Sequence, residues 1–175
     1  AASYDEVLQT SMPRVSVVVL TYNGITFNQA CLHSLEQFSD YPNLEIICVD
    51  NDSSDGTKDF LLAWGAERPQ HKVILNATNL GFAGGNNVGI KAATGDIIVL
   101  LNNDTYVTAG WVRDLIRPLL QDKAIGLSGP VTNMIGGVQK VSIHYSDMTE
   151  MAQRARAFTM LRKSALYDAD ALAFF

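Results

Sequence analysis

Several things are scarce in this chain, and each scarcity removes a class of function. Lys and Arg number 13 against 18 Asp and Glu, a formal net charge of -5. With no basic cluster to offset that balance, nucleic acid is excluded as a partner. No apolar run approaches the roughly 20 residues that a membrane-spanning helix needs. The opening AASYDEVLQTSMP has neither a basic n-region nor an apolar h-region, so no signal peptide is visible. Cysteine occurs only at Cys31 and Cys48, both inside apolar patterns. They read as packed free thiols, which suits a reducing cytoplasm. No G-K-[ST] is present, which removes a P-loop. The first apolar segment ends in LTYNGI, where a dinucleotide fingerprint would place G-x-G-x-x-G. The glycine- and arginine-rich loop expected there of a sugar nucleotidyltransferase is missing as well.

What is present is a regular alternation. A length of 175 residues, 47% of them hydrophobic, suits one domain, or one domain plus an appendage, with a sizeable core. RVSVVVL, LEIICVD, KVILN and DIIVLL are expected strands. Phe27, Ala30, Cys31, Ser34, Leu35 and Phe38 recur at helical spacing and predict a helix over 27–38; KDFLLAWGAE predicts a second and VGIKAATG a third. GWVRDLIRPLLQ predicts a fourth, which Pro118 should end or kink near Arg117. AIGLSGP and VQKVSIHY look like further strands, residues 149–167 like a basic, weakly amphipathic helix, and DADALAFF like the start of another strand. Residues 1–13 read as a leader or linker.

Alternating strands and helices give an α/β protein, a mainly parallel sheet flanked by helices. Right-handed crossovers place every strand's carboxyl end on one rim, and open sheets of this kind bind ligands there. TYNG, DNDSSDGT, NLGFAGGNN and NNDT follow the four strands, so each polar, glycine-rich cluster of the first half shares that rim. The run Ile97 to Leu101 reads as a strand buried on both faces. Asp104, just beyond it, is then costly unless solvent, or a cation with a ligand, compensates its charge. Thr21, Asn23, Asp50 and Asp52 offer hydroxyl, amide and carboxylate groups suited to a base edge and a ribose. Gly81, Gly84 and Gly85 precede the third helix; they either seat an anion at its free N–H groups or simply make the turn. Asp104 could hold Mg2+ or Mn2+ together with phosphate oxygens and water. A base reader, an anion seat and a cation ligand together describe a nucleoside diphosphate.

VSVVVLTYNG, EIICVDNDSSDGT, NLGFAGGNNVGI and GDIIVLLNNDT, in that order, resemble the inverting glycosyltransferases of family two. They most resemble the branch of bacterial rhamnosyltransferase-like enzymes. The resemblance covers roughly residues 14–130. It implies a GT-A fold, a nucleoside-diphosphate sugar (UDP- or dTDP-sugar) as donor, a divalent metal, and a saccharide or lipid-linked saccharide acceptor. By the same resemblance Thr21 and Asn23 border the nucleotide, and Asp50 and Asp52 contact base or ribose. Gly84 and Asn87 line the donor pocket, and Asn102, Asn103 and Asp104 stand where the family has its D-x-D. Asn102 replaces the first carboxylate of that motif, which leaves Asp104 as the main metal ligand of a weakened site. Residues 14–130 are then a nucleotide-sugar-binding domain and 131–175 the start of an acceptor-side subdomain. Because family members continue to an acidic catalytic base, the chain is expected to be an incomplete piece of a longer protein, its base unidentified. Self-association through the apolar ALAFF is a further expectation. The rival reading is a non-catalytic nucleotide-sugar-binding domain or an inactive fragment. A cytoplasmic or membrane-peripheral location fits either.

The remaining candidates weigh less. His33 and His71 read as surface or capping residues, and Trp64 and Trp111 as packing residues. His144 is the histidine that could approach an acceptor, whereas Asp168 and Asp170 precede the place where the family's base is expected. Arg154, Arg156, Arg162 and Lys163 read as a solvated helix face, with an anionic donor or acidic lipid as the alternative. Glycosylation-type tripeptides begin at Asn51, Asn76 and Asn103 and read as chance.

Overall fold

Side chains along a strand point alternately to the two faces, so continuous apolar runs need a layer on each side of a sheet, and the strand order shows how the chain supplies both. The computed structural model describes residues 12–133 and 139–162. Its elements are β1 (Val15–Thr21), α1 (Ile25–Phe38), β2 (Leu44–Asp50), α2 (Thr57–Ala66), β3 (Lys72–Leu75), α3 (Gly81–Ala92), β4 (Ile97–Asn102), α4 (Trp111–Gln121) and α5 (Met148–Leu161). The four strands are parallel and ordered β3-β2-β1-β4. The chain therefore steps outward from β1 to β3, then crosses back to place β4 on the other side of β1. Val15, Val17, Val19, Ile46 and Cys48 face one layer, where they meet Leu32 and Leu35 of α1, Leu61 of α2, and Val112 and Ile116 of α4. Val18, Ile47 and Val49 face the other, against Val88 and Ala92 of α3.

Helix α3 sits unusually near the sheet because glycine removes what would hold it off. A Cβ at Gly85 would lie 2.4 Å from Cδ1 of Leu20, and one at Gly89 would lie 2.3 Å from Cγ1 of Val18. Real Cβ atoms do not come that close, so a side chain at Gly89 would displace the β-branched Val18 or the helix, and one at Gly85 would displace the end of Leu20.

The amino ends of the strands are tied by a buried carboxylate. Glu45, wholly buried on β2, accepts hydrogen bonds through Oε1 from Ser16 Oγ (2.5 Å), Thr94 N (2.6 Å) and Thr94 Oγ1 (2.7 Å). Its Oε2 faces Lys72 Nζ at 3.2 Å and Arg14 Nη2 at 3.3 Å. Burial alone would raise its pKa; the hydrogen bonds from Ser16 and Thr94, with Lys72, outweigh burial and bring it down to about 2. One side chain thereby joins β1, β2, β3 and the lead into β4.

Several expectations are corrected. The buried face of α1 is Asn28, Cys31, Leu32, Ser34 and Leu35, while Phe27 is 61% exposed. The first turn of α1 lies at the rim, where Phe27 points to solvent while Asn28 is buried. Helix α3 begins at Gly81, so Gly84 and Gly85 lie inside it rather than before it. Helix α4 continues through Pro118 to Gln121; burial of Val112 and Ile116 outweighs the one hydrogen bond that proline removes. Residues 124–130 form no strand, and 138–145 contribute only an isolated bridge between Thr132 and Lys140 among the described residues. Gly126 and Pro130 interrupt the first of these segments. Strand β4 lies at the sheet edge and Ile98 is 41% exposed, so it is not buried on both faces. Helix α5 starts one residue early, where Asp147 accepts from Glu150 N at 2.8 Å as its N-cap.

The packing expectations are met. Cys31 and Cys48 are buried free thiols. Trp64 packs in the core and donates through Nε1 to Glu36, and Trp111 packs against the core with its Nε1 bonded to Ser39 Oγ at 3.1 Å. His71 accepts Ile46 N at 3.1 Å and stacks on Trp64, a capping role, and His33 is exposed. No residue of α5 is buried, in keeping with a solvated face. Lys163, Asp168, Asp170 and the DADALAFF segment lie outside the described residues.

Candidate active site

The ladder register brings the predicted residues level. Thr21 pairs with Asp50 across β1 and β2, and Leu20 pairs with Asn102 across β1 and β4. The direction of chain progression reverses between β1 and β4, which opens a crevice beyond their carboxyl ends. Residues 21–24 and 102–105 flank it.

On the β1–β2 side, two loops are locked together. Asp50 is wholly buried; Oδ1 accepts Thr21 Oγ1 at 3.2 Å and Oδ2 accepts Ser53 N at 2.9 Å. Asn23 donates its N–H to Ser53 Oγ at 2.7 Å, and its Oδ1 accepts Ser54 N at 2.8 Å. Asn23 and Asp52 both hold left-handed backbone, φ 55° and 69°. Non-glycine residues adopt it uncommonly, and such outliers gather at functional sites. The half-exposed Asp52 carboxylate meets Lys58 Nζ at 2.7 Å, a hydrogen bond that raises the lysine pKa. Asp55 accepts Ile25 N at 2.9 Å and Thr57 Oγ1 at 2.7 Å, anchoring the starts of α1 and α2 together.

On the β4 side, Asn102 ends the strand and Asp104 stands exposed two residues later. The side-chain amide of Asn103 turns inward and donates to Oδ1 of the buried Asn28 at 2.6 Å. Cys31 lies beneath this turn, its Sγ 3.7 Å from Asn102 O. Burial, and then the charge of Asp104, push its thiol up to about 12, so it is no nucleophile.

The sequence profile of Glycosyl transferase family 2 matches residues 16–172. The chain belongs to that family. Among its relatives, the Glycosyltransferase AglE of Haloferax volcanii is 26% identical over 157 residues, 89% of this chain and 48% of that protein. Among solved structures, the mannosyltransferase PcManGT of Pyrobaculum calidifontis in complex with GDP-Man and Mn2+ superposes with a TM-score of 0.57 at 28% identity. That superposition covers 72% of this chain and 35% of the other. S. aureus TarS 1-349 in complex with UDP-GlcNAc gives a TM-score of 0.52 at 30% identity, over 58% and 29% of the two chains. The fold is the GT-A fold, and the chain spans about half the length, or less, of the curated relatives it matches.

In this family-2 glycosyltransferase domain, the structure brings Thr21, Asn23, Asp50, Asp52, Asn102, Asn103 and Asp104 to one rim. Gly84 and Asn87 lie one turn into α3, Gly84 half-buried and Asn87 exposed. The anion seat expected before α3 needs correction. Asn51 Oδ1 already accepts Leu80 N at 2.9 Å, and Asn79 Oδ1 accepts Gly81 N at 2.8 Å. Two N–H groups at the helix start are thus satisfied by the protein itself. His144 is exposed, on the stretch before α5. No helix among the described residues is long and apolar enough to cross a membrane.

A divalent cation fits this rim only in company. Among the described residues no three His, Cys, Asp or Glu side chains gather as a metal cluster. On its β4 side the rim offers one exposed carboxylate, Asp104, with the amide of Asn102 near it in sequence. That donor set suits Mg2+ or Mn2+ sites that draw their other ligands from phosphate oxygens and water.

Three residues that hold the site together were missed. Asn28 sits on an apolar helix face, where a polar residue gives no periodic signal. Asn51 stood out only as the start of a tripeptide, yet it is 2% exposed and bonds Asn76, Asn79 and Leu80. Asp55 could have been found: an Asp shortly before a helix start is a capping signal.

Proposed function

We propose that this chain is the donor-binding part of an inverting, metal-dependent glycosyltransferase. The observation that carries the proposal is the convergence of Thr21, Asn23 and Asp52 with Asn102 to Asp104 across the β1–β4 reversal. The donor is a UDP- or dTDP-sugar, in keeping with the rhamnosyltransferase-like order of the motifs; the GDP-Man of PcManGT and the UDP-GlcNAc of TarS support a nucleotide sugar as the ligand class. Thr21, Asn23, Asp50 and Asp52 form the base and ribose side, and Gly84 and Asn87 line the donor pocket. Asn102, Asn103 and Asp104 form the diphosphate side, with Asp104 the residue that holds Mg2+ or Mn2+. Bound there, the cation supplies charge stabilisation for the departing diphosphate. The acceptor hydroxyl, on a saccharide or lipid-linked saccharide, attacks the anomeric carbon opposite the leaving group. Its C–O bond forms as the bond to the diphosphate breaks, and a carboxylate takes the hydroxyl proton. Residues 14–130 make the donor domain and 131–175 begin the acceptor side. The domain works at the cytoplasmic face, free or at the membrane periphery.

Calorimetry with UDP, dTDP and GDP, with and without Mn2+ or Mg2+, tests this reading. Binding of UDP or dTDP that tightens with metal is expected. Failure of all three nucleotides under every metal condition overturns it. A transfer assay with activated sugars and saccharide acceptors separates the enzyme from a non-catalytic donor-binding domain.

A further inference from the structure

The candidate site has two sides supplied by different strands, and one buried side chain touches both. Asn28, in the first turn of α1, is 0% exposed. Its Oδ1 accepts Asn103 Nδ2 at 2.6 Å. Its Nδ2 donates to Asn23 O at 3.0 Å and to Thr57 Oγ1 at 2.9 Å. Thr57 Oγ1 in turn donates to Asp55 Oδ1 at 2.7 Å. The β1–β4 ladder ends at Leu20 and Asn102, so past that row the two loops share no backbone pairing. The amide takes over where the ladder stops. This role needs one acceptor and two donors on a short stem, which asparagine supplies; aspartate lacks the donors and leucine lacks both.

We infer that Asn28 is a positioning residue that fixes the nucleotide-side loop 21–24 relative to the metal-bearing turn 102–104. A nucleotide held by its base and ribose on the first loop then presents its diphosphate oxygens to Asp104 on the second. The inference rests on the donor-site reading above. Buried polar networks of this kind hold a single arrangement when every member is bonded, and loosen as a unit when one is removed.

The test uses the full chain with Asn28→Ala, Asn103→Ala and the double variant. Hydrogen exchange is first measured without ligand. Asn28→Ala should speed exchange at least about fivefold in peptides covering both 21–28 and 100–106, whereas Asn103→Ala should do so only in the second. UDP titrations with and without Mn2+ follow. Asn103→Ala should reduce the Mn2+ enhancement about tenfold, as loss of a supporting contact does at metal sites, and should lower metal-free affinity by a clearly smaller factor. The double variant should be no worse than Asn28→Ala, because both remove the same tie. Additive losses, equal falls with and without metal, or exchange in 100–106 indifferent to Asn28 would overturn the inference. Should Asn28→Ala fail to fold, Asn103→Ala carries both readouts. Should the unaltered chain bind no nucleotide, the donor-site reading falls, and the exchange data alone decide whether Asn28 ties the loops.

Discussion

The two ends of the same sheet carry carboxylates in opposite states. At the amino end Glu45 is sealed from solvent, and both oxygens are taken by Ser16, Thr94, Lys72 and Arg14. At the carboxyl end Asp104 is exposed, and Asp52 is half-exposed on left-handed backbone with a lysine beside it. Saturated groups bind the protein to itself; groups held in position with capacity left over can bind something else. Asp50 lies between these extremes, at the functional end but wholly buried and bonded to Thr21 and Ser53. Its role is to shape the loop that carries Asn23 and Asp52.

Glu45→Gln should give the largest effect, a loss of about 3 kcal/mol in unfolding free energy by denaturant titration, since it breaks a buried, paired carboxylate. Nucleotide affinity of the folded fraction should not change. A shift in affinity as large as the shift in stability would break the division between the two ends. The same residue sets an acid limit. Its pKa is about 2 folded against an ordinary 4.5, so its stabilisation is complete above pH 4.5 and is lost as pH falls through about 2. Acid unfolding of the parent should steepen across that window, and Glu45→Gln should flatten it.

Gly89→Ala comes next. Its methyl would strike Val18, and a loss of about 2 kcal/mol is expected from overpacking; thermal unfolding measures it. Asp104→Asn should abolish the metal enhancement of nucleotide binding, about tenfold or 1.4 kcal/mol, while unfolding free energy stays within about 0.5 kcal/mol. Unchanged metal dependence by calorimetry would return Asp104 to a solvated turn. Lys58→Ala should have the smallest effect, little or no change in stability, because the pair is partly exposed and solvent-screened. Any change in nucleotide affinity it produces measures how far Lys58 restrains Asp52.

How much of this was legible in the sequence follows from range. β1 and β2 announce themselves because buried parallel strands are continuous apolar runs, β4 is such a run although it lies at the sheet edge, and the rim follows from their order and handedness. The glycines of α3 misled, since a glycine-rich stretch reads as a turn when nothing shows that a sheet lies 2–3 Å from where their side chains would be. Pro118 misled because local propensity says nothing of the core that Val112 and Ile116 enter. The Glu45 and Asn28 networks were invisible for one reason: Glu45 meets Ser16 29 residues back and Thr94 49 residues on, and Asn28 meets Asn103 75 residues on. Rim residues could be ranked by chemistry alone; the residues that hold them in place could not.

The close seating of α3 also decides where this domain can be redesigned. Gly89 is closed by Val18, and a larger residue at Gly85 has to displace the end of Leu20. The same helix exposes Phe82, Ala83 and Asn87, the last of them proposed above to line the donor pocket. A combinatorial library meant to alter sugar preference should randomise those three positions and leave the two glycines untouched. The sheet then acts as a fixed jig, and diversity falls only where the chain has room to accept it.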